Sequence, residues 1–159
     1  MPVRITPATI ADVPVILELI RGLAEFEKLA HTVIATEEAL RQTLFGPRPC
    51  AEVLLAFDEA EPVGFALFFP NYSTFLAKPG LYLEDVFVKP HARGRGIGLA
   101  LLKRLAAIAR DHDYGRMEWS VLDWNESAIG FYRNLGAVLM DEWRIFRMTG
   151  DAIANLAAQ

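Results

Sequence analysis

Leu81-Tyr82-Leu83-Glu84-Asp85-Val86-Phe87-Val88-Lys89-Pro90-His91-Ala92-Arg93-Gly94-Arg95-Gly96-Ile97-Gly98 is the stretch on which the reading of this chain turns. Residues 81–88 are apolar on both alternations except at Glu84 and Asp85, which predicts a central strand covered on both faces. Adjacent acids in such a strand are costly unless paired or facing water. In a regular strand they would project to opposite sides. Lys89-Pro90 ends the strand, and the glycine-rich turn opens a helix whose Leu99, Leu101, Leu102, Leu105, Ala106, Ile108 and Ala109 recur at helical spacing. A strand feeding such a turn is an anion cradle: glycines let the backbone approach a ligand, and free N–H groups at the helix start point at it. Arg93 and Arg95 add charge. The same glycines also serve as a plain cap and turn.

The anion is not the one a Walker loop holds, since Gly-Lys-Ser/Thr is absent. A dinucleotide fingerprint fails too: Gly94 and Gly96 are followed by Leu99 where a third glycine is needed, and the loop does not follow the first strand. What fits is Arg93-x-x-Gly96-x-Gly98.

Working outward, residues 3–6 alternate as a first strand ended by Pro7, and Ile10, Val13, Ile16, Leu17, Ile20, Leu23 and Ala24 mark a helix. Pro14 requires that helix to begin close to it, with Thr9 or Asp12 as cap. A second helix is predicted from the N-cap Thr36 to Phe45, with Gly46 past its end. Residues 51–57 and 63–69 flank the acidic turn Asp58-Glu59-Ala60-Glu61-Pro62 as a β-hairpin. Further on, 117–122 reads as a strand, 125–135 as a helix stopped by Gly136, 138–148 as a last strand or hairpin arm, and 151–158 as a terminal helix. The interleaved order predicts an α/β (α+β) fold in a single domain over 1–159.

Composition narrows the function classes. With 53% hydrophobic and 23% charged residues among 159, a sizeable core is expected and wholesale disorder is excluded. No apolar run approaches the roughly 18 residues that a membrane helix needs, and the first residues lack a signal peptide's apolar region, so the cytoplasm is the expected compartment. A net charge of −4 argues against nucleic acid as the main partner and leaves room for a cationic substrate. The single cysteine, Cys50, excludes an internal disulfide and is expected to be a buried, inert thiol. His31, His91 and His112 are scattered, and no metal site is expected.

The Arg93-x-x-Gly96-x-Gly98 spacing after a strand resembles the pyrophosphate-binding signature of the GNAT acetyltransferases. Val121-Leu122-Asp123-Trp124-Asn125-Glu126-Ser127-Ala128-Ile129-Gly130-Phe131-Tyr132-Arg133-Asn134-Leu135-Gly136-Ala137 resembles the later motif of the same family. The Tyr-Leu-Glu-Asp strand, Trp-Asn-Glu and the closing Trp143-Arg144-Ile145-Phe146 are similar to its spermidine/spermine acetyltransferase-like branch, which includes thialysine acetyltransferases. The resemblance runs from Arg4 to Met148. It implies the GNAT fold, a central mixed, mostly antiparallel sheet flanked by helices, with acetyl-CoA as co-substrate, no metal, a small amine acceptor and a homodimer.

The implied reaction is direct attack of a primary amine on the acetyl-CoA thioester within a ternary complex. An alkylamine with pKa near 10.4 is neutral in about one molecule per thousand at pH 7.4, so its deprotonation costs about 4 kcal/mol and a base helps. Glu84 is the candidate, with a substrate-charge partner as its equal alternative; Asp85 would bind a cationic substrate or sit in an ion pair. Family analogy makes Tyr132 the general acid for the thiolate, against a core aromatic paired with Phe131. It assigns the backbone of Val86, Phe87 and Val88 to the pantetheine arm and thioester carbonyl. It assigns Arg93, Gly94, Arg95, Gly96, Ile97, Gly98 and Leu99 to the pyrophosphate, and Asn125, Glu126 and Ser127, with Tyr132, to the cofactor's other side. Phe26-Glu27 matches an aromatic-Glu pair whose acid helps hold the amine. Ser73 and Phe75 stand where polyamine enzymes carry an acid and a tryptophan, which favours a shorter amine, a diamine or a thialysine-like amino acid. Two rival readings are acetylation of a protein amine and a non-catalytic acyl-CoA sensor.

Overall fold

The computed structural model describes residues 2–159, which divide into two compact units meeting between Ser120 and Val121. The first unit runs in the order β1 (Arg4–Pro7), α1 (Val13–Phe26), α2 (Glu37–Phe45), β2 (Glu52–Asp58), β3 (Glu61–Ser73), β4 (Lys78–Val88), α3 (Ile97–Asp111) and β5 (Met117–Trp119). The strands form a five-stranded sheet in sequence order. Its pairings are antiparallel except β4 with β5, which run parallel because α3 carries the chain back across the sheet.

Local chemistry explains where the elements start. The Thr9 N–H donates to the Asp12 carboxylate at 2.7 Å, and Pro14 sits in the first turn of α1, where its missing N–H is harmless. Thr36 caps α2 by accepting from the Ala39 N–H at 3.1 Å. The Thr36 cap is as the sequence predicts, while Asp12 stands at the N-cap of α1 with its carboxylate turned back to Thr9. The β2–β3 hairpin closes on the pair Asp58 and Glu61, with Glu59 at φ 56° in the turn.

One face of the sheet is covered by α1 and α2. Val13, Ile16, Leu17 and Leu19 of α1 and Leu40 and Leu44 of α2 pack with Val53, Leu55, Phe65 and Phe87. Each such side chain, fully buried, contributes about 1.5–3 kcal/mol. Cys50, in the loop between α2 and β2, is exposed, contrary to the buried thiol expected: α2 has already ended at Phe45, and the core resumes only with Val53.

The second unit holds α4 (Glu126–Asn134) and α5 (Gly150–Ala157). Asn125 caps α4, its Oδ1 accepting from the Ala128 N–H at 3.2 Å, and Gly136 ends the segment at φ 93°. The strand expected over 138–148 does not form; those residues are irregular. Strand character in a sequence is latent until a ladder partner is supplied, and an isolated strand has no stability of its own.

Gly64 is where the sheet tolerates no side chain, because a Cβ there would lie 2.7 Å from the Phe87 carbonyl oxygen. Gly64→Ala is expected to lower the unfolding free energy by about 1–3 kcal/mol, read as a lower denaturant midpoint at unchanged slope.

Candidate active site

The decisive local feature is in β4. Leu67 pairs with Asp85 and the next residue, Phe68, pairs with Leu83, so Glu84 is an extra residue, a β-bulge. The insertion reverses the faces. Phe69 opposes Tyr82, their rings 5.3 Å apart, on the same face of β3 as Phe65 and Leu67. Beyond the bulge, Asp85 and Phe87 take that face, the one that α1 covers; the Phe87 ring lies 3.0 Å from where a Gly22 Cβ would stand. Leu83 and Asp85, which share a parity in sequence, therefore lie on opposite faces.

The bulge leaves Glu84 exposed and turns Asp85 partly inward toward the end of α1. Burial, then the neighbouring carboxylates of Glu84 and Glu27, push the Asp85 carboxyl up to about 6. Burial also raises Glu27, the residue that ends α1, whose N–H bonds the Leu23 carbonyl at 2.9 Å. Glu27, Glu84 and Asp85 thus share one field, which favours a cation brought among them.

β5 pairs with β4 only from Leu81 to Leu83, so past the bulge Val86, Phe87 and Val88 are in a ladder with β3 alone. The other backbone edge of that segment is laddered to no strand of the described residues. It suits an extended ligand carrying amide and carbonyl groups.

The glycine loop follows at once. Gly94 and Gly96 take φ 75° and 79°, conformations that favour glycine, and a Cβ on either would meet nothing within 4 Å. The first intrahelical bond runs from the Ala100 N–H to the Gly96 carbonyl at 2.9 Å, so the N–H groups of Ile97, Gly98 and Leu99 have no intrahelical acceptor. Free N–H groups at a helix start of this kind suit an anion. The arginines are placed otherwise than their charge alone predicts. Arg93 Nε donates to the Val88 carbonyl at 2.9 Å, and its guanidinium lies 4.5 Å from the Phe26 ring centroid and 5.6 Å from that of Phe87. Arg95 Nη1 lies 2.6 Å from Asp58 Oδ2, an ion pair that holds the Asp58 carboxyl below the usual range.

Phe26, Glu27, Glu84, Asp85, Arg93 and the loop are therefore gathered in the first unit. The acceptor segment after β3 is arranged differently. Ser73 is buried, its Oγ accepting from the Leu76 N–H at 3.2 Å to shape the turn, while Phe75 is fully exposed. Glu118 pairs with Arg116 at 2.9 Å. In the second unit, Asn125 and Tyr132 are two helical turns apart and share one side of α4, with Glu126 and Ser127 in its first turn. The Tyr132 and Phe131 rings are 5.6 Å apart. Sequence reading missed Arg93 as the clamp between Phe26 and Val88; Phe26 ahead of Glu27 in α1 was its only local signal.

Comparison with known proteins agrees with this geometry. The profile of the acetyltransferase (GNAT) family matches residues 18–137. The thialysine N-epsilon-acetyltransferase of Bos taurus is 41% identical over 168 residues, covering 99% of this chain and 98% of the relative. The L-ornithine N5-acetyltransferase NATA1 of Arabidopsis thaliana is 37% identical over 94% of this chain and 86% of its own. Among solved structures, an integron cassette protein from the mobile metagenome of V. cholerae superimposes with a TM-score of 0.81 at 29% identity, over 100% of this chain and 99% of that one. A chain with this sheet, this loop and these relatives belongs to the GNAT acetyltransferase family, in the branch the sequence resembles, and is an N-acetyltransferase.

Proposed function

We propose that the protein transfers the acetyl group of acetyl-CoA to a primary amine of a small cationic acceptor, a diamine or an amino acid of the ornithine or thialysine kind. Attack is direct, within a ternary complex, and the protein works as a cytoplasmic homodimer. The observation that carries this reading is the group Glu27, Glu84 and Asp85 at the bulge, beside the unladdered edge of β4 and the glycine loop. Relatives named for thialysine and ornithine support the acceptor class. So does Ser73, committed to a turn where a polyamine enzyme would present an acid. The exposed Trp143, Ile145 and Phe146 of the second unit support a second copy.

Acetyl-CoA, when bound, supplies the activated acetyl thioester. The N–H groups of Ile97, Gly98 and Leu99, with Gly94 and Gly96 admitting close approach, hold its diphosphate. The backbone of Val86, Phe87 and Val88 aligns the pantetheine arm and donates to the thioester carbonyl. Asn125, Glu126 and Ser127 contact the cofactor from α4. Glu27 and Asp85 hold the acceptor's cationic end, and Phe26 packs on its methylenes. Glu84, exposed on the bulge, takes a proton from the acceptor's ammonium through water so that the neutral amine attacks, and Tyr132 protonates the departing thiolate. A phenol near pKa 10 giving its proton to a thiolate near 8.5 is a modestly uphill step when concerted with departure.

Tyr132→Phe is expected to lower kcat by about a hundredfold or more with acetyl-CoA KM nearly unchanged. The check is CoA release from acetyl-CoA with spermidine, spermine, putrescine, thialysine, ornithine, lysine and a short peptide as acceptors. Turnover of the short amines is the expected pattern. A preference for spermidine refutes the argument from Ser73; tight acetyl-CoA binding with no acceptor turned over favours a sensor; unchanged turnover in the variant removes Tyr132 from the mechanism.

Asp85 yields a signed pH prediction. Its folded pKa of about 6 lies above the ordinary carboxyl value, so the folded state holds the proton more tightly than the unfolded one. The stabilisation by protonated Asp85 is complete below about pH 4 and lost as pH rises through about 6. Asp85→Asn is therefore expected to be more stable than the parent at pH 7.5 by about 1–3 kcal/mol, and equally stable near pH 3.5, as read from denaturant titrations at both pH values. The same variant is expected to raise the acceptor KM, since it removes a carboxylate from the cation's site.

A further inference from the structure

The basic side chains beside the glycine loop are held by the protein itself. Lys89 Nζ is 2.8 Å from Glu18 and 3.7 Å from Glu61, His91 Nε2 is 3.1 Å from Glu61, and Arg95 Nη1 is 2.6 Å from Asp58. Asp58 and Glu61 close the β2–β3 hairpin opposite each other, so the acidic turn lies against the loop. Arg93 cannot leave its place cheaply, since it bonds the Val88 carbonyl and covers two aromatic rings. Arg95 can. It stands between Gly94 and Gly96, both at positive φ with open space around them, and its side chain is 45% exposed. A guanidinium presents the same donors to a carboxylate and to a phosphate, so both compete for one group.

We propose that Asp58 is an intramolecular competitor for the diphosphate of the cofactor: Arg95 exchanges the Asp58 carboxylate for a phosphate oxygen on binding, and the acidic hairpin turn sets cofactor affinity. This rests on the reading of the glycine loop as the diphosphate site. The exchange moves no proton and breaks no covalent bond. It trades one ion pair for another and leaves Asp58 to water, which it reaches through its partial exposure. An ion pair at this degree of exposure is weak enough to give way to a multiply charged phosphate group.

The test is the acetyl-CoA dissociation constant of the parent, Asp58→Asn, Arg95→Gln and the double variant, with the KM for acetyl-pantetheine, which lacks the diphosphate, as control. Asp58→Asn is expected to tighten acetyl-CoA binding about two- to fivefold, Asp58→Glu to restore the parent value, and the Arg95→Gln background to abolish the gain. Acetyl-pantetheine should be used equally by parent and Asp58→Asn. Unchanged or weaker acetyl-CoA binding in Asp58→Asn overturns the proposal, showing the pair to be a support for the loop. The same tightening in the Arg95→Gln background also overturns it, leaving only repulsion by the carboxylate. A parent that binds no acetyl-CoA overturns the cofactor-loop reading itself, and the competition with it.

Discussion

Past Leu83, β4 keeps a ladder partner on one side only, and much of the candidate site follows from that constraint. A central strand normally satisfies its backbone on both edges, and donors and acceptors left without a partner are expensive unless water or a ligand takes them. Pairing with β5 ends one residue before the bulge at Glu84, and the glycine loop begins at Gly94, six residues after β4 ends at Val88. Backbone groups seeking a partner therefore lead directly into N–H groups seeking an anion. A long ligand with amides at one end and phosphates at the other answers both needs, where a bare phosphate would answer one.

The bulge adds the electrostatic half of the site. It places Asp85 on the face of α1, where Phe87 fills core space and Glu27 closes the helix. Burial and then the carboxylates of Glu84 and Glu27 push the Asp85 carboxyl up, while the guanidinium of Arg93 is committed to an aromatic face and a carbonyl. Such an arrangement lowers the stability of the folded chain near neutral pH. It is tolerable where a cationic ligand completes it, and groups perturbed in this way gather at functional sites. The strain in charge and the vacancy in the ladder lie within one strand.

The elements whose signals are local were legible in the sequence. Asp12 and Thr36 act at helix starts as short polar side chains do, their oxygens accepting from backbone N–H groups, and the glycines of the loop take the conformations their turn requires. The bulge was not legible. Leu83-Glu84-Asp85-Val86 reads equally well as two regular steps, because the register of a strand is set by its neighbour, here Leu67 and Phe68, and not by its own residues. The expectation of a regular strand at Glu84 and Asp85 failed for that reason. The missing strand over 138–148 has the same origin: an apolar alternation states what a segment would do beside a partner.

Charge was the least legible property of all. Arg93 and Arg95 read as charge added to an anion cradle, yet composition along a chain does not say which charges are already spent. Asp58 lies far from Arg95 in sequence and meets it only because β2 and β3 carry their turn to the end of β4. The cradle for the anion is consequently built mainly from backbone N–H groups, whose partial charges are fixed in direction and cannot be neutralised by a neighbouring carboxylate. Side-chain charge at the same loop is adjustable, because it can be shared with an acidic turn. A loop that takes its geometry from glycine and only part of its charge from arginine can thus keep one ligand shape while its affinity is tuned by residues that never touch the ligand.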